Sequence, residues 1–277
     1  MRISYELLNK LKNLSNKEMD FFLYLAKAQN MSGKVIGVYH VEVCKNCNMS
    51  KQSFYNVLYS LAAKNIIQYI KNDTDYDVIL VDNNFIDTRT GAFRKQKSYI
   101  NLHKYYTHMD EFQHLKSNEK YLLFCVMKVT FQKGRILRIG FHKFFQDYCK
   151  ELGIAVRTLR AYLYSLKAFF DVKRILGIYQ IKAKDIMEVA DQGTQDQREQ
   201  LHIIETLVRR AKLKAAQKDI IDTAGLIKQY RDTATLMKHD IVAVLQEVMC
   251  YSRTTVDTLE PKYIHTLVRK VLEMPSN

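Results

Sequence analysis

Cys44 and Cys47 lie three residues apart, and His40 precedes Cys44 by four. Thiolates and an imidazole at that spacing resemble half of a zinc site. A structural zinc takes four ligands, usually with a second such pair, and the chain has no second Cys-x-x-Cys. Displaced by 105 residues, Cys44 corresponds to Cys149 and Cys47 to Leu152. Both positions therefore read as apolar slots of one helix, where a buried thiol behaves as a small hydrophobe. The five cysteines are odd in number and irregularly spaced, which suits a reducing cytoplasm rather than a disulfide framework. No Gly-x-x-x-x-Gly-Lys-Ser/Thr loop is there to cradle a phosphate. No His-hydrophobe-His pair sits beside a tyrosine as a nickase requires, and the acids of the basic region are too scattered for a metal-dependent nuclease. The expectation is a chain with no catalytic residue, no metal and no cofactor: not an enzyme.

The remaining chemistry is recognition by contact. In the helical stretch that starts at Lys51, Phe54, Leu58 and Leu61 recur at core spacing. The opposite side then presents Lys51, Gln52, Ser53, Tyr55, Asn56 and Tyr59. Glutamine and asparagine amides can bond an adenine edge twice, lysine reaches guanine or phosphate, and hydroxyls serve either. A second stretch anchored by Leu159, Leu163 and Leu166 presents Arg157, Thr158, Arg160, Tyr164 and Lys167. That face is more basic and fits guanine readout or phosphate clamping equally. Lys173 and Arg174, followed by Lys182 and Lys184, lie on a hairpin beyond it. The hairpin after the first stretch carries Lys71 but also Asp73, Asp75 and Asp77, and is the poorer phosphate binder.

Charge and repetition show which elements must position these residues. The formal charge is +14. Residues 1–110 hold 15 Lys and Arg against 10 Asp and Glu, residues 111–184 hold 15 against 5, and residues 185–277 hold 13 against 14. The basic excess lies wholly in the first two thirds, where it would draw phosphate backbones. No apolar run approaches the roughly 20 residues needed to span a bilayer, and Met1–Lys12 reads as a mixed amphipathic stretch rather than a signal peptide. Leu58-Tyr59-Ser60-Leu61 returns as Leu163-Tyr164-Ser165-Leu166, Ile36-Gly37-Val38 as Ile139-Gly140-Phe141, and Ser15-Asn16 as Ser117-Asn118. Three matches in one order, at offsets of 102 to 105, mark a duplication.

Each copy reads as helix, strand, helix, tight turn, helix and hairpin. The first copy predicts helices over Lys17–Gln29, Val41–Cys47 and Lys51–Lys64, with a hairpin over Ile66–Ile70 and Val78–Val81. The second predicts helices over Glu119–Phe131, Lys143–Leu152 and Val156–Phe169, with a hairpin over Val172–Leu176 and Ile178–Ile181. The connector Asn83–His108 carries Arg89, Arg94, Lys95 and Lys97 and then the alternating run Ser98–His103. It reads as a basic loop returning into a strand that extends a hairpin sheet or seats the second copy, with Arg94, Lys95 and Lys97 as phosphate contacts.

Met49-Ser50-Lys51-Gln52-Ser53-Phe54-Tyr55-Asn56-Val57-Leu58, with Leu61 and the exit Asn65-Ile66-Ile67, resembles the turn, recognition helix and wing entry of winged helix-turn-helix regulators and replication initiators. The resemblance implies two tandem winged helix domains, over 1–84 and 111–184, joined by a basic connector over 85–110. The fold class is then mainly α with small β-hairpin wings. A helical domain for oligomerisation or partner docking follows over 185–277. Its apolar residues recur at three and four in about four helices. The part from Ala243 to Lys270 is similar to the helical domain of DnaD-type replication proteins, but lacks that family's tryptophan pattern. The function implied is sequence-specific binding of double-stranded DNA, at a plasmid or phage replication origin of a Gram-positive bacterium. An operator-binding transcriptional regulator and a segregation or relaxosome adaptor are the alternatives. The expected partners are DNA and either a second copy or a replication or transcription protein, with no membrane, in a cytoplasmic, nucleoid- or plasmid-associated setting.

Overall fold

The computed structural model describes residues 1–87, 92–94, 96–102, 106–107, 109–134, 136–184 and 193–273. Within them the protein is mixed α/β, 58% helical and 17% strand, with small antiparallel sheets. Its contacts group into two compact units. One comprises Met1–Val35, His40–Ile70 and Val78–Ala190, and the other Ile36–Tyr39, Lys71–Asp77 and Asp191–Asn277.

The first unit opens with strand β1 (Arg2–Ser4) and helix α1 (Tyr5–Lys10), which the Ser4 hydroxyl caps by accepting from the Leu7 amide. The connector strand β5 (Tyr99–Asn101) pairs antiparallel with β1, placing Ile3 opposite Ile100. The alternating run of the connector thus forms the expected strand, but it extends neither hairpin sheet. The reason is local: Ile3, Ile100 and Leu102 are all buried, and the amino terminus donates to the Leu102 carbonyl at 2.9 Å. Buried Asn83 fastens the same seam, accepting from the Ser4 amide and donating to the Arg2 carbonyl.

The first repeat then runs α2 (Asn16–Ala28), β2 (Lys34–Val38), α3 (His40–Asn46), α4 (Lys51–Ala63), β3 (Ile67–Lys71) and β4 (Tyr76–Leu80). After a short helix α5 (Asp110–Gln113) the second runs α6 (Ser117–Gln132), β6 (Ile136–Gly140), α7 (Phe141–Leu152), α8 (Val156–Ser165), β7 (Phe170–Ile175) and β8 (Ile178–Ala183). Element order is the same in both, and so is strand order: β2-β4-β3 in one sheet, β6-β8-β7 in the other. The turn before the third helix carries a left-handed residue in each copy, Asn48 (φ +46°) and Gly153 (φ +63°), and these stand 105 apart. The third helix of the second copy is shorter than expected, because after Ser165 it tightens into a 3₁₀ turn over Leu166–Ala168.

Helix α2 starts on a capping box. The Ser15 hydroxyl accepts from the Glu18 amide, and Glu18 accepts from the Ser15 amide at 2.7 Å. Ser117, the counterpart of Ser15, is not the cap of its helix but the first residue, and it is buried. Its hydroxyl donates to the Leu14 carbonyl and its amide to Asn16 Oδ1, so it joins the two repeats. Lys120, paired with Asp20 at 2.7 Å, does the same.

The second unit contains four helices among the described residues: α9 (Gly193–Ala211), α10 (Gln217–Leu236), α11 (Ile241–Ser252) and α12 (Pro261–Glu273). Their apolar stripes close on each other through Leu207, Ile227, Leu245, Ile264 and Val268. Ile221, Leu236 and Tyr251 of the same unit remain exposed. In the same unit Gly37 has φ +68°, and a Cβ there would stand 2.2 Å from the Thr206 side chain, so only glycine fits.

Candidate nucleic-acid interface

Ser50 caps α4 by accepting from the Ser53 amide at 3.2 Å. Phe54, Leu58 and Leu61 are fully buried, as the sequence spacing requires, and Lys51, Gln52, Asn56 and Tyr59 are exposed. Gln52 Nε2 donates to Asn56 Oδ1 at 3.0 Å, one turn away. That bond orients both amides, and Gln52 Oε1 and Asn56 Nδ2 supply the acceptor and donor that an adenine edge needs. Ser53 and Tyr55 are half-buried and more occupied. The Ser53 hydroxyl accepts from Lys17 Nζ at 3.1 Å, and Tyr55 stacks at 6.4 Å on both His40 and Tyr59. Burial, then the charge of Lys51, holds His40 below its ordinary pKa, which favours the neutral ring.

On α8, Arg157, Arg160 and Tyr164 are exposed and Thr158 is half-buried. The Lys167 ammonium, on the following 3₁₀ turn, lies 4.9 Å from the centre of the Tyr164 ring. Tyr164 and its counterpart Tyr59 are both exposed, while the leucines beside them are buried. Arg160 and Arg174 lie on separate elements, a helix and a hairpin strand, and nothing in their spacing brings them together. They converge on one ring instead: Arg174 lies 4.4 Å from the Phe141 centroid and Arg160 6.0 Å from it, with Phe145 5.5 Å from Arg160. Such cation–π contacts fix the guanidinium planes while leaving the charge in place. Phe141, at the start of α7, went unnoticed in the sequence because it also fits a core slot.

The second sheet adds a basic face. Register places Arg138 and Lys173 on either side of Gln180, and Lys182 opposite Asp171, all on one side of the sheet. The other side carries Leu137, Ile181 and Phe170 into the core. No Asp or Glu occurs between Glu42 and Asp73 or between Glu151 and Asp171. The third helix of each copy is therefore free of acid.

The first hairpin tip has a different environment. Asp75 is buried, and Arg210 Nη2 approaches it at 2.7 Å and Asp77 at 2.5 Å. Arg209 adds a contact to Asp75 at 3.2 Å and donates to the Gly37 carbonyl at 3.0 Å. Burial pushes the Asp75 carboxyl up, but the guanidiniums more than reverse this and hold it below its usual range. The Asp75 and Asp77 carboxylates and the Arg209-Arg210 pair thus occupy each other. In the connector, Arg94 is exposed, Lys95 lies outside the described residues, and Lys97 is mostly covered. Lys97 stands 3.6 Å from Glu6 and over the Phe85 ring, so it is engaged within the fold.

Cys44 and Cys47 are half-buried rather than fully in the core. The Cys47 thiol donates to the Asp20 carbonyl, and burial, followed by Asp20, pushes its pKa up to about 12. Among the described residues no three His, Cys, Asp or Glu side chains are grouped to hold a metal, and no helix is long and apolar enough to cross a membrane. No protein-family model, curated protein or solved structure matches the chain.

Proposed function

We propose that the two repeats are winged helices and that the chain binds double-stranded DNA through them, with no active site of its own. One observation carries this reading. Two copies of the same element and strand order each contain an acid-free third helix whose exposed side holds tyrosine and cations, joined in the first copy by amides. An ordinary solvated helix would mix acids with its bases. A surface that excludes acid over a whole helix, twice, is suited to a polyanion. The two faces differ in kind. The Gln52–Asn56 pair on α4 is the base-reading element, and Arg157, Arg160, Lys173 and Arg174 supply grip. A chain with one reading and one gripping helix can cover two adjacent DNA segments, which suits the repeated sites of a plasmid or phage replication origin.

The test is titration of a fluorescent duplex at increasing salt. Even about 6 phosphate contacts would cost roughly 10³-fold in affinity between 50 and 200 mM salt. An affinity flat over that range refutes the reading. Footprinting on genomic DNA then reads the role: iterated sites beside a replication gene fit an origin, whereas a palindrome over a promoter replaces it with an operator.

A further inference from the structure

We infer that the tip of the second hairpin is an apolar wedge that enters the minor groove of duplex DNA and unstacks a base step. The inference rests on the DNA-binding reading above and adds the mode of contact.

Ile175 pairs with Ile178, leaving Leu176 and Gly177 as a two-residue loop with φ values of +47° and +77°. Loops of this kind need both central residues left-handed, so asparagine or aspartate normally precedes the glycine. Leucine gains nothing there from the backbone, since its Cβ disfavours that region. It gains nothing from packing either: Leu176 is 97% exposed, and Ile175 and Ile178 beside it are 50% and 44% exposed. The corresponding turn of the first repeat is Asn72-Asp73-Thr74-Asp75, polar throughout. The apolar point therefore belongs to one copy and serves no purpose within the fold.

Its surroundings say what it meets. Arg138 and Lys173 flank it on one side of the sheet, and Arg174, held on Phe141, lies on the other. Cations behind an apolar point are complementary to a groove with phosphates along its rims and stacked bases at its floor. The minor groove, about 6 Å wide, is too narrow for the whole two-stranded ribbon but takes the single side chain at its tip, and the kink that insertion produces opens the groove around it. Leucine and isoleucine inserted there part a base step and kink the duplex. A lipid surface would also attract a basic, apolar tip. Three partly exposed side chains offer less hydrocarbon than one myristoyl chain, which itself binds only marginally.

The experiment uses the full chain and a mixed-sequence duplex of about 30 base pairs with a central TA step, the step most easily unstacked. Dyes on its ends report bending by energy transfer, and 2-aminopurine beside the step reports unstacking. The wild-type protein is expected to shorten the end-to-end distance and brighten the 2-aminopurine. Leu176→Asn, which suits the left-handed turn, is expected to keep the melting temperature and still bind, with both signals lost. Arg174→Ala is expected to bind more weakly and bend fully at saturation. If the wild type binds without bending, or Leu176→Asn bends like it, the wedge is wrong and DNA binding stands. If the wild type does not bind the duplex, both readings fall. If Leu176→Asn abolishes binding to vesicles of phosphatidylcholine and phosphatidylserine while leaving DNA bending intact, the tip is a lipid contact and the wedge is overturned.

Discussion

Replacing Glu18 by glutamine is expected to cost about 3 kcal/mol at neutral pH and almost nothing below pH 2. Glu18 is buried, and it closes the capping box of α2. It also reaches α4, accepting from Ser60 Oγ at 2.5 Å and from Lys64 Nζ at 2.6 Å. Burial pushes its carboxyl up, but Lys64, Ser60 and Ser15 together overcome this and bring it from an ordinary 4.5 to about 2. Each tenfold change in proton affinity is worth about 1.36 kcal/mol, so the carboxylate stabilises the fold by roughly 3 kcal/mol. A depressed folded pKa fixes the direction. The contribution is complete above about pH 4.5 and is lost as pH falls through about 2. Urea unfolding of wild type and Glu18→Gln between pH 6 and 2 measures it, because other carboxylates cancel in the difference. A Lys64→Met arm adds the coupling between the two residues. A difference between wild type and Glu18→Gln that does not change with pH would refute the reasoning. The consequence extends to the candidate interface, since Glu18 anchors the carboxyl end of the helix that carries Gln52 and Asn56.

Gly37→Ala should cost at least about 2 kcal/mol in urea unfolding, because it adds a left-handed non-glycine residue and a clash with Thr206. A change under half of that removes the close approach from the account. Arg210→Ala should cost about 3–5 kcal/mol by leaving Asp75 buried with too little positive charge, and adding Asp75→Asn should recover part of the loss. Thermal melts of the single and double variants check this, and an equal loss in both would show that charge is not the cause. Gln52→Ala or Asn56→Ala should relax DNA sequence preference by about 1–3 kcal/mol, and Lys97→Ala should leave affinity unchanged; competition titrations decide both. A maleimide should modify exposed Cys250 well before Cys47, whose thiol stays protonated to about pH 12. Equal rates by mass spectrometry would contradict the burial of Cys47.

The local elements follow from residue type and order. Apolar spacing placed Phe54, Leu58, Leu61 and Leu159 in cores, and all four are fully buried. It located the two hairpins to within a few residues, and it gave about four helices over 185–277, where four are found among the described residues. Such features depend on helical or strand periodicity and on turn residues, which neighbours in sequence settle among themselves. The repeat was legible for the same reason, since duplicated cores keep the same apolar pattern.

Where the charges end up depends on the packed fold. Asp75 and Arg210 are 135 residues apart, and residue type alone shows an acidic hairpin tip rather than one ion pair. Arg160 and Arg174 share Phe141 because a helix and a hairpin meet there, and no spacing in the sequence encodes that meeting. The partner of β5 was equally hidden, because a three-residue strand can complete any open edge. The choice of β1 depended on burying Ile3 and Ile100 against each other. Long-range pairing follows from which surfaces remain after local elements form. A long charged side chain can join any of several partners at similar cost, so its partner is fixed by the packed fold and not by its place in the chain.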